Sequence, residues 1–336
     1  MNQYVKNKSG KTFLYRLWKH IDKKKYVSLP AYKLHAYLTK KLMKQGVISA
    51  FSNLKLKKYR WLDETQFHPE PNLPFFIQKD SFEHFYKKFL CLQLRENTME
   101  TLVLGSSHGL YGYRADDSRN EVNACIASQD LYSSYEFYKK YAHAPRLKNV
   151  VLFYSVFSPG FITELTTEKG FSDLQRFFFG IPYRFSFDDE KRELFRNLAR
   201  LVAEEREALK DYSYIGNCEY TFFIPPETDA ESRVSAHVKH NRRNNNQNEY
   251  VKELIQAAGE KNHNLLIVIP PVRSDYAKLL PPFEELFPDL LRLKDDVRIV
   301  SFLNDGDFSD DDFGDTDHLN KTGAEKLTEK IRNHLS

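Results

Sequence analysis

The sequence lacks long hydrophobic runs. No stretch of about eighteen apolar residues, the length needed to cross a bilayer, occurs in the chain. The basic amino terminus has no compact apolar core followed by small residues, which argues against a cleaved secretory leader. These absences predict a cytoplasmic protein that is soluble or peripheral on the inner membrane face.

Cysteine is also scarce. The 336 residues include three, Cys91, Cys125 and Cys218, and they are far apart. An odd number at such spacing suggests neither a disulfide framework nor a clustered metal site. We therefore expect a reducing compartment, no metal and no bound cofactor. The 26 Phe and 20 Tyr, in contrast, can fill the core of one large domain with an appendage.

Acidic residues are almost missing from the first 60 positions, which hold 16 Lys or Arg and one acid, Asp22. Apolar residues such as Phe13, Leu17 and Ile21 recur there at helical spacing, so residues 1–95 are expected to form a basic, mostly helical region. Its charge could bind anionic lipid of the inner leaflet or an acidic polymer, or could be solvated on helices that pack on the main domain. No nucleic-acid-binding motif accompanies the charge, so we expect no nucleic acid partner.

From about residue 100 onward, short apolar runs alternate with helical stretches, which is typical of a parallel sheet. The sequence therefore predicts an α/β domain at 96–336, with a long insertion at 158–245. Predicted strands are 101–105, 121–127, 149–157, 264–271 and 297–303. Predicted helices are 129–143, 188–209, 246–261, 282–293 and a last one in which Thr322 and Glu325 are spaced as a capping box.

Two polar segments lie where their side chains could meet at the carboxyl edge of the sheet. The first, GSSH at 105–108, follows the first strand, and its serines could act as nucleophiles or only cap a helix. The second, DTDH at 315–318, precedes the last helix. There Asp315 could orient His318, which could take a proton from Ser107. The alternative is a solvated acidic loop or a cation site, although the spacing is not that of an EF-hand.

The order of these segments resembles the SGNH (GDSL-like) hydrolases and acyltransferases. Members carry a Gly-x-Ser block after the first strand and an Asp-x-x-His block before the last helix, matched here by GSS at 105–107 and DTDH at 315–318. The match spans roughly residues 100–336 and looks most like the branch that acts on bacterial cell-surface polysaccharides and their acyl groups. The resemblance implies a three-layer α/β/α, flavodoxin-like fold with a five-stranded parallel sheet.

The resemblance also implies catalytic roles. Ser107 would be the nucleophile, His318 the general base and then acid, and Asp315 the group that orients the imidazole. Members also carry a Gly or another small residue in a second block, after the second strand, and this block is matched here by the turn at Ala127 and Ser128. The backbone N–H groups of Ser107 and Ser128 would contribute to the oxyanion hole, although the family's glycine in this second block is replaced here.

One part of the family pattern is missing. The third block supplies an Asn after the third strand, but LFYSVFSPGF offers only Ser155 and Ser158 there. Gln129 is the substitute donor that the sequence suggests.

Basic residues form a further candidate group. They could hold an anionic group of a sugar polymer or of a nucleotide-linked acyl donor, or could be surface charges. They are Arg273, after the fourth strand, and His240, Arg242 and Arg243 in the insertion.

Together these features predict serine-dependent acyl transfer, most simply O-acetyl transfer onto a capsular or other cell-surface polysaccharide or its precursor. Acetyl-CoA is a donor that such an enzyme could use, and the basic region could contact inner-leaflet lipid or the capsule assembly machinery. A carbohydrate esterase of the same fold is the first alternative. A non-catalytic scaffold of this fold that binds membrane or anionic polymer is the second.

Overall fold

The computed structural model describes residues 79–184, except 167 and 169, and residues 213–335, except 244 and 246. Over these ranges the chain forms one five-stranded sheet in which every pair of neighbours is parallel. The strands are β1 (Thr101–Leu104), β2 (Glu121–Asn123), β3 (Asn149–Phe153), β4 (Asn264–Ile269) and β5 (Arg298–Ser301). Their spatial order is β2-β1-β3-β4-β5.

Helices connect the strands in the described ranges. They are α1 (Lys79–Arg95), α2 (Ser107–Gly112), α3 (Leu131–Tyr141), α4 (Gly170–Phe179), α5 (Ala230–Asn241), α6 (Asn248–Glu260), α7 (Ser274–Ala277), α8 (Phe283–Leu286), α9 (Pro288–Arg292) and α10 (Lys321–Leu335). Single turns of 3-10 helix occur at Asp117–Arg119, Ser158–Gly160, Thr163–Leu165 and Asp310–Asp312.

The apolar strands bury both of their faces, which is why their sequences are nearly continuous in hydrophobic residues. Leu102 and Leu104 of β1 point into one core cluster, which α1, α3, α4 and α6 complete. Val103, between them, points into a second cluster, which α2 and α10 complete. The sheet is therefore covered on both sides, consistent with a three-layer α/β arrangement.

Strand order determines where a ligand can bind. The chain leaves β1 toward β2 at one side of the sheet, whereas β3 pairs with the opposite side of β1. The loops after β1 and β3 therefore diverge, and such a switch point opens a crevice at the carboxyl ends of the strands. GSSH at 105–108 lies in this crevice because it directly follows β1.

All five predicted strands are confirmed, although each ends earlier than expected. Predicted helices 129–143 and 246–261 are confirmed as α3 and α6, and 282–293 divides into α8 and α9 around Phe287. The predicted capping box is wrong, because α10 already begins at Lys321 and the Asn320 side chain accepts a hydrogen bond from Gly323 N at 3.2 Å. Predicted helix 188–209 and the basic residues 1–60 lie outside the described residues.

The last part of the region expected at 1–95 packs against the sheet. Phe85 and Leu92 of α1 are fully buried in the cluster that covers the sheet. Residues 79–95 thus pack as part of the α/β unit. Helix α5, which sequence analysis missed, adds Val234 from the insertion to the same cluster. Among the described helices, none combines the length and the hydropathy needed to cross a membrane.

Candidate active site

A serine and a histidine lie together at the carboxyl edge of the sheet. Ser107 is the first residue of α2, which follows β1, and His318 lies in the loop that precedes α10. Ser107 Oγ lies 2.8 Å from His318 Nε2, and His318 Nδ1 lies 2.8 Å from Asp315 Oδ2. The expected juxtaposition of hydroxyl and imidazole, 211 residues apart in sequence, is confirmed.

The loop holds Asp315 in one orientation. Its Oδ1 accepts hydrogen bonds from the backbone N–H groups of His318, at 2.7 Å, and Asp317, at 3.0 Å. Its Oδ2 accepts from His318 Nδ1–H and from the Tyr220 hydroxyl, at 2.5 Å. With Nδ1 protonated, Nε2 of His318 carries the lone pair that accepts a hydrogen bond from the Ser107 hydroxyl.

The local charges favour a basic imidazole. Burial would lower the pKa of His318, but the charges of Asp315 and Asp317 outweigh it and leave this pKa above its ordinary value. Burial likewise opposes ionisation of Asp315, yet His318 holds the pKa of this carboxyl below its usual range. Asp315 thus favours the protonated form of His318, and His318 favours the ionised form of Asp315.

A cleft of about 410 Å³ opens in front of these residues. Tyr220 stacks on the His318 ring at 4.8 Å between centroids, and Tyr111 meets the same ring edge-on at 5.4 Å. Gly314 allows Tyr220 to come this close, since a Cβ there would lie 2.4 Å from Tyr220 Cδ1. Other residues that line the cleft are Ser107, Ala127, Ser128, Glu168, Phe171, Ile224, Asp229, Arg233, Asp315 and Thr316.

The two residues suggested to supply backbone N–H groups to an oxyanion hole, Ser107 and Ser128, both line the cleft. Among the hydrogen bonds of the described residues, none is donated by either of these N–H groups. Ser128 adopts φ of +58°, in the left-handed region. Its hydroxyl donates to Glu168, and its carbonyl accepts from Thr163 Oγ1 at 2.5 Å, so this conformation is held from two sides.

The substitute donor suggested by sequence, Gln129, is not placed for that role. Its Nε2 donates to Ser134 Oγ at 3.0 Å, its side chain is buried, and it does not line the cleft. The third-strand serines are buried too, and Ser158 Oγ accepts from Ser155 N at 2.9 Å. A separate cleft of about 480 Å³ is lined by Arg114 and Arg119 but includes neither Gln129 nor the two serines.

The expected anion-binding residues do not reach the cleft. Arg273 is 1% exposed and is engaged by Asp275, at 2.8 Å from both Nε and Nη2, and by the carbonyl oxygens of 224 and 225. It therefore fixes the insertion to the end of β4. Arg242 faces Glu285 at 3.8 Å. Neither Arg242 nor its neighbours His240 and Arg243 line the cleft, where the cationic side chain is Arg233.

Sequence reasoning also missed several polar groups beside Ser107. His108, Asp317 and His318 place ligand-type atoms within 4.8 Å of one another, a spacing that could hold a cation. Each of them is already hydrogen-bonded within the protein, and Arg233 Nε supplies positive charge to Asp317 Oδ1 at 3.0 Å. The arrangement is therefore better satisfied as a hydrogen-bonded network than as a metal centre.

The fold and the site define an α/β protein with a serine–histidine–aspartate arrangement at the carboxyl edge of a parallel sheet. A comparison with protein-family models gave no match, and a comparison with curated proteins gave no significant relative.

Proposed function

We propose that this chain is a serine-dependent acyltransferase whose nucleophile is Ser107. The observation that carries the proposal is the continuous path from Ser107 Oγ through His318 to Asp315, with both hydrogen bonds at 2.8 Å, opening into a cleft. A buried structural network would not need a half-buried hydroxyl at its end. Here the hydroxyl lines the cleft, where a substrate carbonyl can reach it.

The residues support a two-step reaction. Ser107 Oγ bonds to the acyl carbonyl carbon while its proton passes to His318 Nε2, and the carbonyl oxygen becomes an oxyanion. The backbone N–H groups of Ser107 and Ser128 are available to donate to this oxygen. The bond to the leaving group then breaks, and the leaving group takes the proton from His318. Asp315 stabilises the imidazolium throughout.

In the second step the acyl group leaves Ser107. His318 takes a proton from the acceptor hydroxyl, whose oxygen attacks the acyl carbonyl, and the proton then returns to Ser107 as the ester bond breaks. A sugar hydroxyl as acceptor gives O-acyl transfer, and water as acceptor gives hydrolysis. Resemblance to SGNH proteins of cell-surface polymers supports a capsular or related polysaccharide as acceptor and acetyl-CoA as donor.

Intact-protein mass spectrometry tests the nucleophile. Purified protein incubated with acetyl-CoA, or with p-nitrophenyl acetate, should gain one acetyl group, and Ser107→Ala should gain none. Ser118→Ala is the matched control and should acylate normally, because it changes an exposed serine whose hydroxyl donates to Asp116, outside the cleft. Equal acylation of wild type and Ser107→Ala would refute the proposal.

Transfer and hydrolysis are separated by the product. Acetylated protein is mixed with capsular polysaccharide, and the polymer is analysed for ester-linked acetyl. Acetyl on the polymer supports transfer, whereas release of free acetate from acetylated polysaccharide supports the esterase. If Ser107 reacted with no acyl probe, the result would favour the second alternative, a non-catalytic scaffold.

A further inference from the structure

A second serine–histidine–aspartate chain lies directly behind the first. Ser155 Oγ lies 2.7 Å from His108 Nδ1, and His108 Nε2 lies 3.0 Å from Asp317 Oδ2. Ser106 Oγ, on the residue before the nucleophile, lies 3.1 Å from Ser155 Oγ. The rings of His108 and His318 stack at 5.2 Å between centroids. The two series of hydrogen bonds thus run side by side.

The charged end fixes the direction of the hydrogen bonds in this second chain. Asp317 is an acceptor held by Arg233, so His108 must donate from Nε2 and accept at Nδ1. Ser155 then donates to His108 Nδ1 at 2.7 Å, and its oxygen accepts the Ser106 hydroxyl, for which Ser155 Oγ, at 3.1 Å, is nearer than His108 Nδ1, at 3.4 Å. The order is Ser106 to Ser155 to His108 to Asp317, with every donor matched to an acceptor.

Burial keeps the serines of this second hydrogen-bonded series from reacting with a substrate themselves. Ser155 is 0% exposed and Ser106 2%, and neither lines the cleft. Burial also lowers the pKa of His108, despite the hydrogen bond to Asp317, which keeps this ring neutral beside His318. A fully paired buried network of this kind fixes geometry rather than reacting.

We infer that Ser155, His108 and Asp317 form a positioning relay that fixes the turn at Ser106 and thereby holds the Ser107 hydroxyl and N–H in reactive geometry. Arg233 joins the relay to the cleft, since its Nε binds Asp317 while its side chain, 35% exposed, lines the cleft wall. The inference rests on the proposed function, because it describes how Ser107 is made reactive.

The test measures how fast a fluorophosphonate probe labels Ser107 in the full-length protein. Ser155→Ala should lower the labelling rate constant about 10- to 100-fold, the loss expected from a misplaced reacting group. A merely structural role would lower the melting temperature and the labelled fraction but leave the rate constant of the folded protein unchanged. Thr328→Val is the control, because it removes a buried hydroxyl with two hydrogen bonds on α10, outside the relay.

Ser106→Ala provides a second variant if Ser155→Ala does not fold, since it removes only the last hydroxyl of the relay. Asp317→Asn adds a pH readout: it removes one of two carboxylates near His318, so the acid limb of labelling should move to lower pH, whereas in Ser155→Ala the limb should stay in place. The groups that face His318 are Asp315 and Asp317 from its own loop, Ser107, His108 and Tyr111 from α2, Tyr220 from the insertion, and Arg233 and His237 from α5.

The outcomes separate the two ideas. If wild-type protein is not labelled at Ser107, the proposed function fails. If wild type is labelled and folded Ser155→Ala and Ser106→Ala are labelled at the wild-type rate, the relay is refuted while the proposed function stands.

Discussion

Replacing Asp315 with asparagine tests the candidate site sharply, because neighbouring donors determine how the new amide must face. Oδ1 of Asp315 accepts from the backbone N–H groups of His318 and Asp317, at 2.7 and 3.0 Å. An amide NH2 cannot accept these bonds, so the asparagine oxygen must take this position. Its NH2 group then points at His318 Nδ1 and at the Tyr220 hydroxyl.

This orientation forces the wrong tautomer. His318 Nδ1 must accept from the amide, so the ring proton moves to Nε2, which then cannot accept the proton of Ser107. The corresponding change in a serine protease triad lowers turnover by about 10⁴-fold, equivalent to about 5.5 kcal/mol of transition-state free energy. Because the side-chain volume and the backbone hydrogen bonds persist, we expect Asp315→Asn to stay folded.

The assay compares rate constants for fluorophosphonate labelling of Ser107, with thermal melts of each variant. Asp311→Asn is the matched control, because it removes a carboxylate from the same acidic loop at an exposed position, and it should label within about two-fold of wild type since no contact to His318 is lost. A folded Asp315→Asn protein that retains more than about a tenth of the wild-type rate would refute the tautomer argument.

Two further predictions concern protonation and stability. Labelling of Ser107 should rise with pH through the raised pKa of His318, since only neutral imidazole accepts the serine proton; a midpoint below the ordinary 6.5 would contradict this. Lys88→Met should lower the free energy of unfolding in urea by about 2–5 kcal/mol, because buried Lys88 donates to the carbonyls of Asn123, Cys125 and Gly216 at 2.9, 2.7 and 3.0 Å. The loss of stability should exceed that of the exposed control, Lys252→Met. If the two variants were equally stable, the three carbonyls would need no donor. Part of the loss is offset, because the substitution also removes a buried charge whose cost is seen in the pKa of Lys88, which burial lowers to about 8.

The serine–histidine–aspartate part of the candidate site could be predicted from sequence because its placement follows from topology. Strands that are covered on both faces can be recognised in the sequence as apolar runs. The residues that follow such strands lie at the same edge of a parallel sheet. Ser107 follows β1 directly, and the short spacing from Asp315 to His318 lets one turn orient the ring. These are local signals combined with a general rule of α/β folds.

The supporting contacts could not be predicted, because they depend on side-chain direction across long separations. His108 stood next to Ser107 in sequence, but its partner Asp317 is 209 residues away. Arg273 follows β4 as expected, yet it turns into the protein toward Asp275, a partner only two residues away. An arginine so close to an aspartate was a usable sign that its charge would be satisfied internally.

The insertion at 158–245 contributes side chains that contact the site residues. Tyr220 supplies a hydrogen bond to Asp315 and a stacked face to His318, and Arg233 neutralises the buried carboxylate of Asp317. Without Arg233, Asp317 would be a buried charge with no full counterion, and leaving such a charge unpaired is strongly destabilising. The sheet edge therefore sets where Ser107 and His318 meet, whereas the insertion sets the charges around the hydrogen bond between them.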